Sequence, residues 1–279
     1  MQKQRVVLIT GCSSGIGFST AVYLAEKGYK VYASMRDLKK KDNLLSESKK
    51  AGVSVELVQL DVTDEGSIKN AISTVLKKEG QIDVLVNNAG FGSGGFLEDF
   101  SIEEIRDQFE TNFFGLISVT KEVLPIMRKQ KQGYIVNISS IGGKIAFPVL
   151  SIYNASKFAV EAVTESLRGE LAPFGIKVTA IEPSSTKTNF HSSVRVAEKS
   201  QNQSSPYYEY MKRFEKNIDK MSQQNVEPVV IAKTVYTAIT SKNPKRSYPI
   251  GKGARMLLVL KSVLPNQVFE RIMGKQFLG

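Results

Sequence analysis

Over its first two-thirds the chain alternates short β-branched runs with longer stretches of helical period, and this alternation restricts the fold more than any other feature. The short runs are Arg5–Thr10, Lys30–Met35, Ser54–Gln59, Val84–Asn87, Tyr134–Ser139 and Lys177–Ile181, with Tyr248–Ile250 a weaker seventh. Helical patterns cover Gly15–Lys27, Asp64–Lys78, Ile102–Lys129 and Ile152–Phe174. Strand, helix and strand in regular succession predict βαβ units and a parallel sheet, because parallel neighbours need a crossover long enough to hold a helix. Apolar runs such as Val84-Leu85-Val86 suit a sheet covered on both faces. The expected fold is one doubly wound α/β domain over 1–279. Around 189–225 the alternation stops, and Gln, Asn, Ser and Lys dominate, with Phe190, Tyr207, Tyr208, Tyr210 and Phe214 among them. That stretch reads as a mobile insertion. A helix over Pro228–Thr240 follows, and 251–279 reads as a short C-terminal extension.

Composition removes several classes. With 42% hydrophobic and 23% charged residues the chain is neither disordered nor fibrous in type. Its longest aliphatic run, Met256–Leu260, falls far short of the roughly 20 apolar residues that span a bilayer. Val6–Ile9 is too short for a signal-peptide core. Cys12 is the only cysteine, so no internal disulfide or thiolate metal site forms, and a reducing, cytoplasmic compartment is expected. His191 is the only histidine and stands in Thr188-Asn189-Phe190-His191-Ser192 without ligand spacing. It reads as a loop residue, and no metal is expected.

Three local patterns carry chemistry. First, the first strand runs into Thr10-Gly11-Cys12-Ser13-Ser14-Gly15-Ile16-Gly17 and then a helix. Glycines there let the backbone turn sharply and approach a pyrophosphate seated on the N–H groups of the helix start. Second, the end of the second strand, which should meet an adenosine ribose, reads Ser34-Met35-Arg36-Asp37, an apolar residue and then a guanidinium where an NAD site usually places a carboxylate. Arg36 can pair with a 2′-phosphate and favours NADP, unless Asp37 merely offsets it. Lys39, Lys40 and Lys41 read as a solvated helix face. Third, Tyr-x-x-x-Lys places two side chains on one helical face. It occurs at Tyr23/Lys27, Tyr153/Lys157, Tyr208/Lys212 and Tyr248/Lys252. Only Tyr153 follows a strand ending in hydroxyls, Ser139-Ser140, at the sheet edge where open α/β folds bind ligands.

Together these residues resemble the short-chain dehydrogenase/reductase family along essentially the whole chain. The matches are Gly11, Gly15 and Gly17; Asp61-Val62; Asn87-Asn88-Ala89-Gly90; Asn112; Ser140; Tyr153-x-x-Ser156-Lys157; and Pro183. The text around 34–38 and 140–143 is similar to the NADP-using hydroxysteroid and retinol dehydrogenase branch. The resemblance implies a Rossmann fold and a hydride exchanged between NADP(H) and an apolar ketone, aldehyde or alcohol. It implies Tyr153 as proton donor or acceptor and Lys157 as the cation that eases its ionisation. Ser140, thirteen residues before Tyr153, would bond the substrate oxygen, with Ser139 the alternate, and Asn112 would hold a water that relays protons to Lys157. Cofactor contacts fall on Gly11, Ser13, Ser14, Gly15, Ile16, Gly17, Arg36, Asp61, Val62, Asn88, Ala89, Gly90, Tyr153, Lys157, Pro183 and Thr188. A 3-oxoacyl-type reductase and an NADP-sensing protein without turnover are the alternatives. A homo-oligomer, dimer or tetramer, is the expected assembly. One departure stands out: the usual glycine after Pro183 is Ser184.

Net charge is +11 and unevenly placed. Residues 1–189 hold 23 basic and 21 acidic side chains, whereas 190–279 hold 15 and 6. No nucleic-acid recognition motif accompanies that basic third, so no nucleic acid is expected as partner. Lys252, Arg255 and Lys261 surround Met256–Leu260, a segment too apolar to sit free in water as a helix. The preferred reading is packing over the chain's own pocket or a subunit interface. The alternative is peripheral contact with an anionic membrane.

Overall fold

The computed structural model describes residues 4–186, 194–222 and 226–279. From the N-terminus the elements are β1 (Val6–Ile9), α1 (Gly15–Glu26), β2 (Lys30–Met35), α2 (Asp42–Lys50), β3 (Glu56–Gln59), α3 (Glu65–Glu79) and β4 (Val84–Asn87). A two-residue strand β5 (Ser93–Gly94) leads to α4 (Ile102–Phe109), α5 (Gly115–Gln130), β6 (Gly133–Ile138), α6 (Ser151–Leu171) and β7 (Ile176–Pro183). Then come β8 (Arg195–Val196), α7 (Tyr208–Ser222), α8 (Pro228–Thr240), β9 (Ser247–Ile250), α9 (Ala254–Val263) and α10 (Asn266–Leu278).

Seven strands form one parallel sheet in the order β3-β2-β1-β4-β6-β7-β9. This is the expected doubly wound, Rossmann-type α/β fold. Strand order reverses direction between β1 and β4, so their carboxyl ends splay apart and leave a crevice. Apolar side chains leave both faces of the strands. Val7, Ile9, Val84 and Val86 pack with α1 and α8 residues such as Leu24 and Val235. Leu8, Leu85 and Ile135 pack on the other face with Ile72, Val119 and Met127 of α3 and α5. Burying each such side chain stabilises the fold by about 1.5–3 kcal/mol.

Helix ends follow local chemistry. Asp64 accepts from Ser67 N at 2.7 Å and starts α3, and Gly80 in the left-handed region stops it. Ser101 and Glu104 close a reciprocal capping box on α4.

The pattern over Ile102–Lys129 resolves into α4 and α5 separated by a π-helical turn, Glu110–Phe114, which carries Asn112. The lysines of 39–41, expected on a solvated helix face, are solvent-exposed but lie ahead of the α-helix. Asp37 caps a 3₁₀ turn over Leu38–Lys40, and α2 starts only at Asp42. Within 189–225 the described part carries β8 and α7, contrary to the irregular stretch expected there. Parallel pairing of β8 with β5 and stacking of Tyr207 on Phe96 at 4.4 Å fasten it. Buried Asp99 accepts hydrogen bonds from Ser200 and Ser205 at 2.7 and 2.8 Å. These partners are about a hundred residues distant in sequence, out of reach of any local pattern.

Candidate active site

The carboxyl ends of the central strands open on a cleft of about 1040 Å³. One end is the loop between β1 and α1, where Gly11 and Gly15 take φ of +73° and +64°. A Cβ at Gly17 would collide with Asn88 Nδ2 and the Gly11 carbonyl, so glycine lets the helix start close on the loop. Asn88 holds that loop: its Nδ2 donates to the carbonyls of Thr10 and Gly11 at 2.8 and 2.9 Å. Thr10 Oγ1 in turn accepts from the N–H groups of Asn88 and Ala89. The N-cap Ser14 makes no side-chain cap and the first turn of α1 carries no acid. The opening N–H groups of α1 are therefore not claimed by a side-chain cap, and the positive end of its dipole borders the cleft.

Gly11, Ser13, Ser14, Gly15, Ile16, Arg36, Asp61, Val62, Asn88, Ala89, Gly90, Ser140, Tyr153, Lys157 and Pro183 all line this cleft. Gly17 does not, and its part is the packing just described. Thr188 and His191 lie outside the described residues. Arg36 is exposed, and Asp37 is spent on the backbone N–H of Lys39 at 2.9 Å rather than on the guanidinium. Asp61 lines the wall and also makes a turn, its Oδ1 accepting from Thr63 N and Oγ1 at 3.0 and 2.7 Å.

At the other end, α6 brings Tyr153 and Lys157 together, with Lys157 Nζ 5.9 Å from the Tyr153 ring centre. Among the four Tyr-x-x-x-Lys pairs, only here do both members line the cleft. Burial pushes the Tyr153 phenol up to about 12, against the opposing hydrogen bond with Ser140. Ser140 thus meets Tyr153, whereas the Ser139 hydroxyl is buried. Burial lowers Lys157 to about 8, with the Glu161 carboxylate pulling the other way. Lys157 Nζ donates to the Ile138 carbonyl at 2.9 Å, which fixes its position.

Asn112 is buried beside the cleft and is not part of its wall. Its Oδ1 accepts from Phe91 N at 3.0 Å, and its Nδ2 donates to Phe91 O at 2.9 Å and Ser156 Oγ at 3.3 Å. Ser184 fits where a glycine is usual because its side chain occupies the space over Gly251, whose φ is +130°.

Two features of the site were not read from the sequence. Lys144 pairs with Glu161 at 2.7 Å and reaches Glu182 at 3.6 Å, a buried charge cluster one helical turn beyond Lys157. The spacing Tyr153, Lys157, Glu161 was the available signal, since all three share one helix face. The second is a roof. Phe269, Met273 and Phe277 of α10, at i, i+4 and i+8, pack with Phe147, Val149, Met211 and Phe214. Phe277 stacks on Phe147 and Phe214 at 5.3 and 6.0 Å. Cover was expected from Met256–Leu260; of that segment Leu257 and Leu258 pack against this cluster, whereas Met256 and Val259 are exposed and α10 supplies most of the roof. Cys12 is buried, with its thiol pushed up by burial.

A glycine loop at a helix start, at a strand-order reversal, facing a Tyr–Lys–Ser grouping across one cleft defines a nicotinamide-dependent oxidoreductase. Residues 5–199 match the family model described as short chain dehydrogenase, and the chain belongs to the short-chain dehydrogenase/reductase family. It is 40% identical to the uncharacterized oxidoreductase YusZ of Bacillus subtilis, over 99% of each chain. It is 37% identical to a 3-ketodihydrosphingosine reductase of Bacteroides thetaiotaomicron, over 97% of this chain and 96% of that one. Human retinol dehydrogenase 8 is 44% identical over 67% of this chain and 60% of its own length. Among solved structures, a short-chain dehydrogenase from Streptomyces avermitilis aligns with a TM-score of 0.82, at 33% identity over 94% of each chain. An actinorhodin polyketide ketoreductase with NADPH aligns at 0.76, with 31% identity over 90% of this chain and 97% of its own. A family member from Burkholderia phymatum in complex with NAD aligns at 0.79, with 26% identity over 93% of each.

Proposed function

We propose that the chain catalyses NADP(H)-linked interconversion of a carbonyl and an alcohol on an apolar substrate. The observation that carries this reading is the Ser140–Tyr153–Lys157 grouping at the foot of a cleft whose roof is Leu257, Phe269, Met273 and Phe277. Relatives named for 3-ketodihydrosphingosine and for retinol are in keeping with it. The residues present fit a dinucleotide. Gly11, Ser14 and Gly15 leave a cradle below the uncapped start of α1, and a side chain at position 17 would push the Gly11 carbonyl and Asn88 out of the arrangement that shapes it. Arg36 and Lys40 line the cleft just beyond β2 and would meet a 2′-phosphate, while Asp37, also in the lining, already accepts from the Lys39 N–H at 2.9 Å. When bound, the nicotinamide gives or takes the hydride.

The chain's own residues handle the proton. A phenol held near 12 stays protonated at neutral pH and donates to a carbonyl oxygen that Ser140 also bonds. A lysine with its midpoint near 8 is largely ammonium at pH 7, and its charge eases ionisation of the phenol next to it. Asn112 holds the Phe91 segment and Ser156 through its side chain, and from that fixed position it would hold a water that relays protons to Lys157.

The test is consumption of NADPH and of NADH by the full chain with a panel of apolar ketones and aldehydes. NADPH is expected to support the faster reaction. Arg36→Asp should reverse that preference by about tenfold or more, by losing a charge-assisted pair and adding repulsion. Unchanged preference would remove Arg36 from the site, and NADPH binding without turnover across the panel would favour a cofactor-sensing protein.

A further inference from the structure

One face of α9 and α10 closes the cleft, but the other is apolar and uncovered. On α9, Met256, Val259, Leu260 and Val263 fall at i, i+3, i+4 and i+7, one stripe of a helix. Their exposures are 65%, 58%, 36% and 67%. On α10, Val268 and Ile272 extend the exposed apolar surface, at 42% and 47%. Lys252, Arg255, Lys261, Arg271 and Lys275 flank these side chains, against one carboxylate, Glu270. Met256, Leu260 and Ile272 both reach solvent and line the cleft, so they are its rim.

We infer that this face docks on a bilayer surface bearing anionic headgroups, with the mouth of the cleft turned toward the lipid. Apolar side chains ringed by cations match both layers of such a surface, the acyl boundary and the negative headgroups. A second copy of the chain matches it less well. A two-fold contact sets the same patch against itself, and here it would oppose five cations with only Glu270 to offset them on each side. It would also cover the rim residues through which a substrate enters. Docking rests on exposure and charge alone. The corollary, that an apolar substrate passes from lipid into the cleft without crossing water, rests on the proposed substrate class.

The experiment uses the full chain with vesicles of phosphatidylcholine, with and without phosphatidylserine. The variant is Val259→Ser, Val263→Ser and Val268→Ser combined, which leaves the cleft lining untouched. The unaltered chain is expected to sediment with phosphatidylserine vesicles and to be released by salt. The triple variant should lose about tenfold or more in partitioning, because each change removes apolar area from the inserted face. Its thermal unfolding and its turnover of a water-soluble carbonyl should match the unaltered chain, which keeps loss of docking distinct from loss of fold or activity. No binding of the unaltered chain to anionic vesicles would overturn the proposal, as would equal binding by the variant. A dimer that the valine changes convert to a monomer, without vesicle binding by either form, would assign the face to a second copy.

Discussion

Lys157→Met in the cofactor-free protein separates the electrostatic cost of this lysine from its packing. Methionine keeps an unbranched apolar stem in a position that is 7% exposed and removes the charge. Burial brings Lys157 from the ordinary 10.5 to about 8. At pH 7 both folded and unfolded chains carry the proton, so the folded state bears the whole penalty, about 3 kcal/mol at 1.36 kcal/mol per unit. Between pH 8 and 10.5 the folded chain releases the proton before the unfolded one does. Stability of the wild type therefore rises with pH in that window, and by pH 10 the penalty is below about 1 kcal/mol. Loss of the hydrogen bond to the Ile138 carbonyl costs the variant about 1 kcal/mol, but this offset changes little with pH. The stability difference between variant and wild type should thus move by roughly 2–3 kcal/mol from pH 7 to pH 10, in the wild type's favour. Groups common to both chains cancel in the difference. The chain has no tryptophan, so urea unfolding is followed by far-ultraviolet circular dichroism. A difference that stays flat across that range would refute the buried-charge account. The variant is expected to gain stability at pH 7 and lose turnover, the usual exchange at a site held under electrostatic tension.

Tyr153→Phe removes the proposed proton donor and leaves the helix face filled, so dinucleotide binding should persist while turnover drops by roughly a hundredfold or more. Wild-type rates on the best carbonyl would show that the proton comes from elsewhere. Phe277→Ala empties the stack between Phe147 and Phe214 and should cost about 3–5 kcal/mol, read from the urea midpoint. In the same variant the Michaelis constant for an apolar carbonyl should rise more than that for the dinucleotide, because the roof covers the substrate end. Equal effects on both would mean that α10 supports the whole fold and not the substrate end.

The sheet was legible because strand identity is a local property here. Val84-Leu85-Val86 is apolar on successive residues, a pattern that suits a strand covered on both faces, and its shortness and β-branched content set it apart from the apolar run of α9. The glycine loop was legible for a similar reason, since positive φ is set within a few residues, whereas the i, i+4 spacing of Tyr153 and Lys157 recurs four times and only the hydroxyl-ended strand before it singled that pair out. Boundaries were less so. A π turn at Glu110–Phe114 leaves no mark in a helical period, and α2 is too polar to announce itself. What tertiary structure alone decided lies where partners are far apart in sequence. Asn88 clamping the loop at Gly11, Asp99 fastening Ser200 and Ser205, and Lys144 joining Glu161 to Glu182 each depend on the fold bringing separate segments into contact. The C-terminal segment shows the division most plainly. Its composition required that apolar surface be covered, but which side chains roof the cleft and which face outward is set by how α9 and α10 lie against α7 and the loop before α6. Hydrophobic burial is non-directional, so composition fixes how much surface seeks cover, and only packing geometry selects the partner.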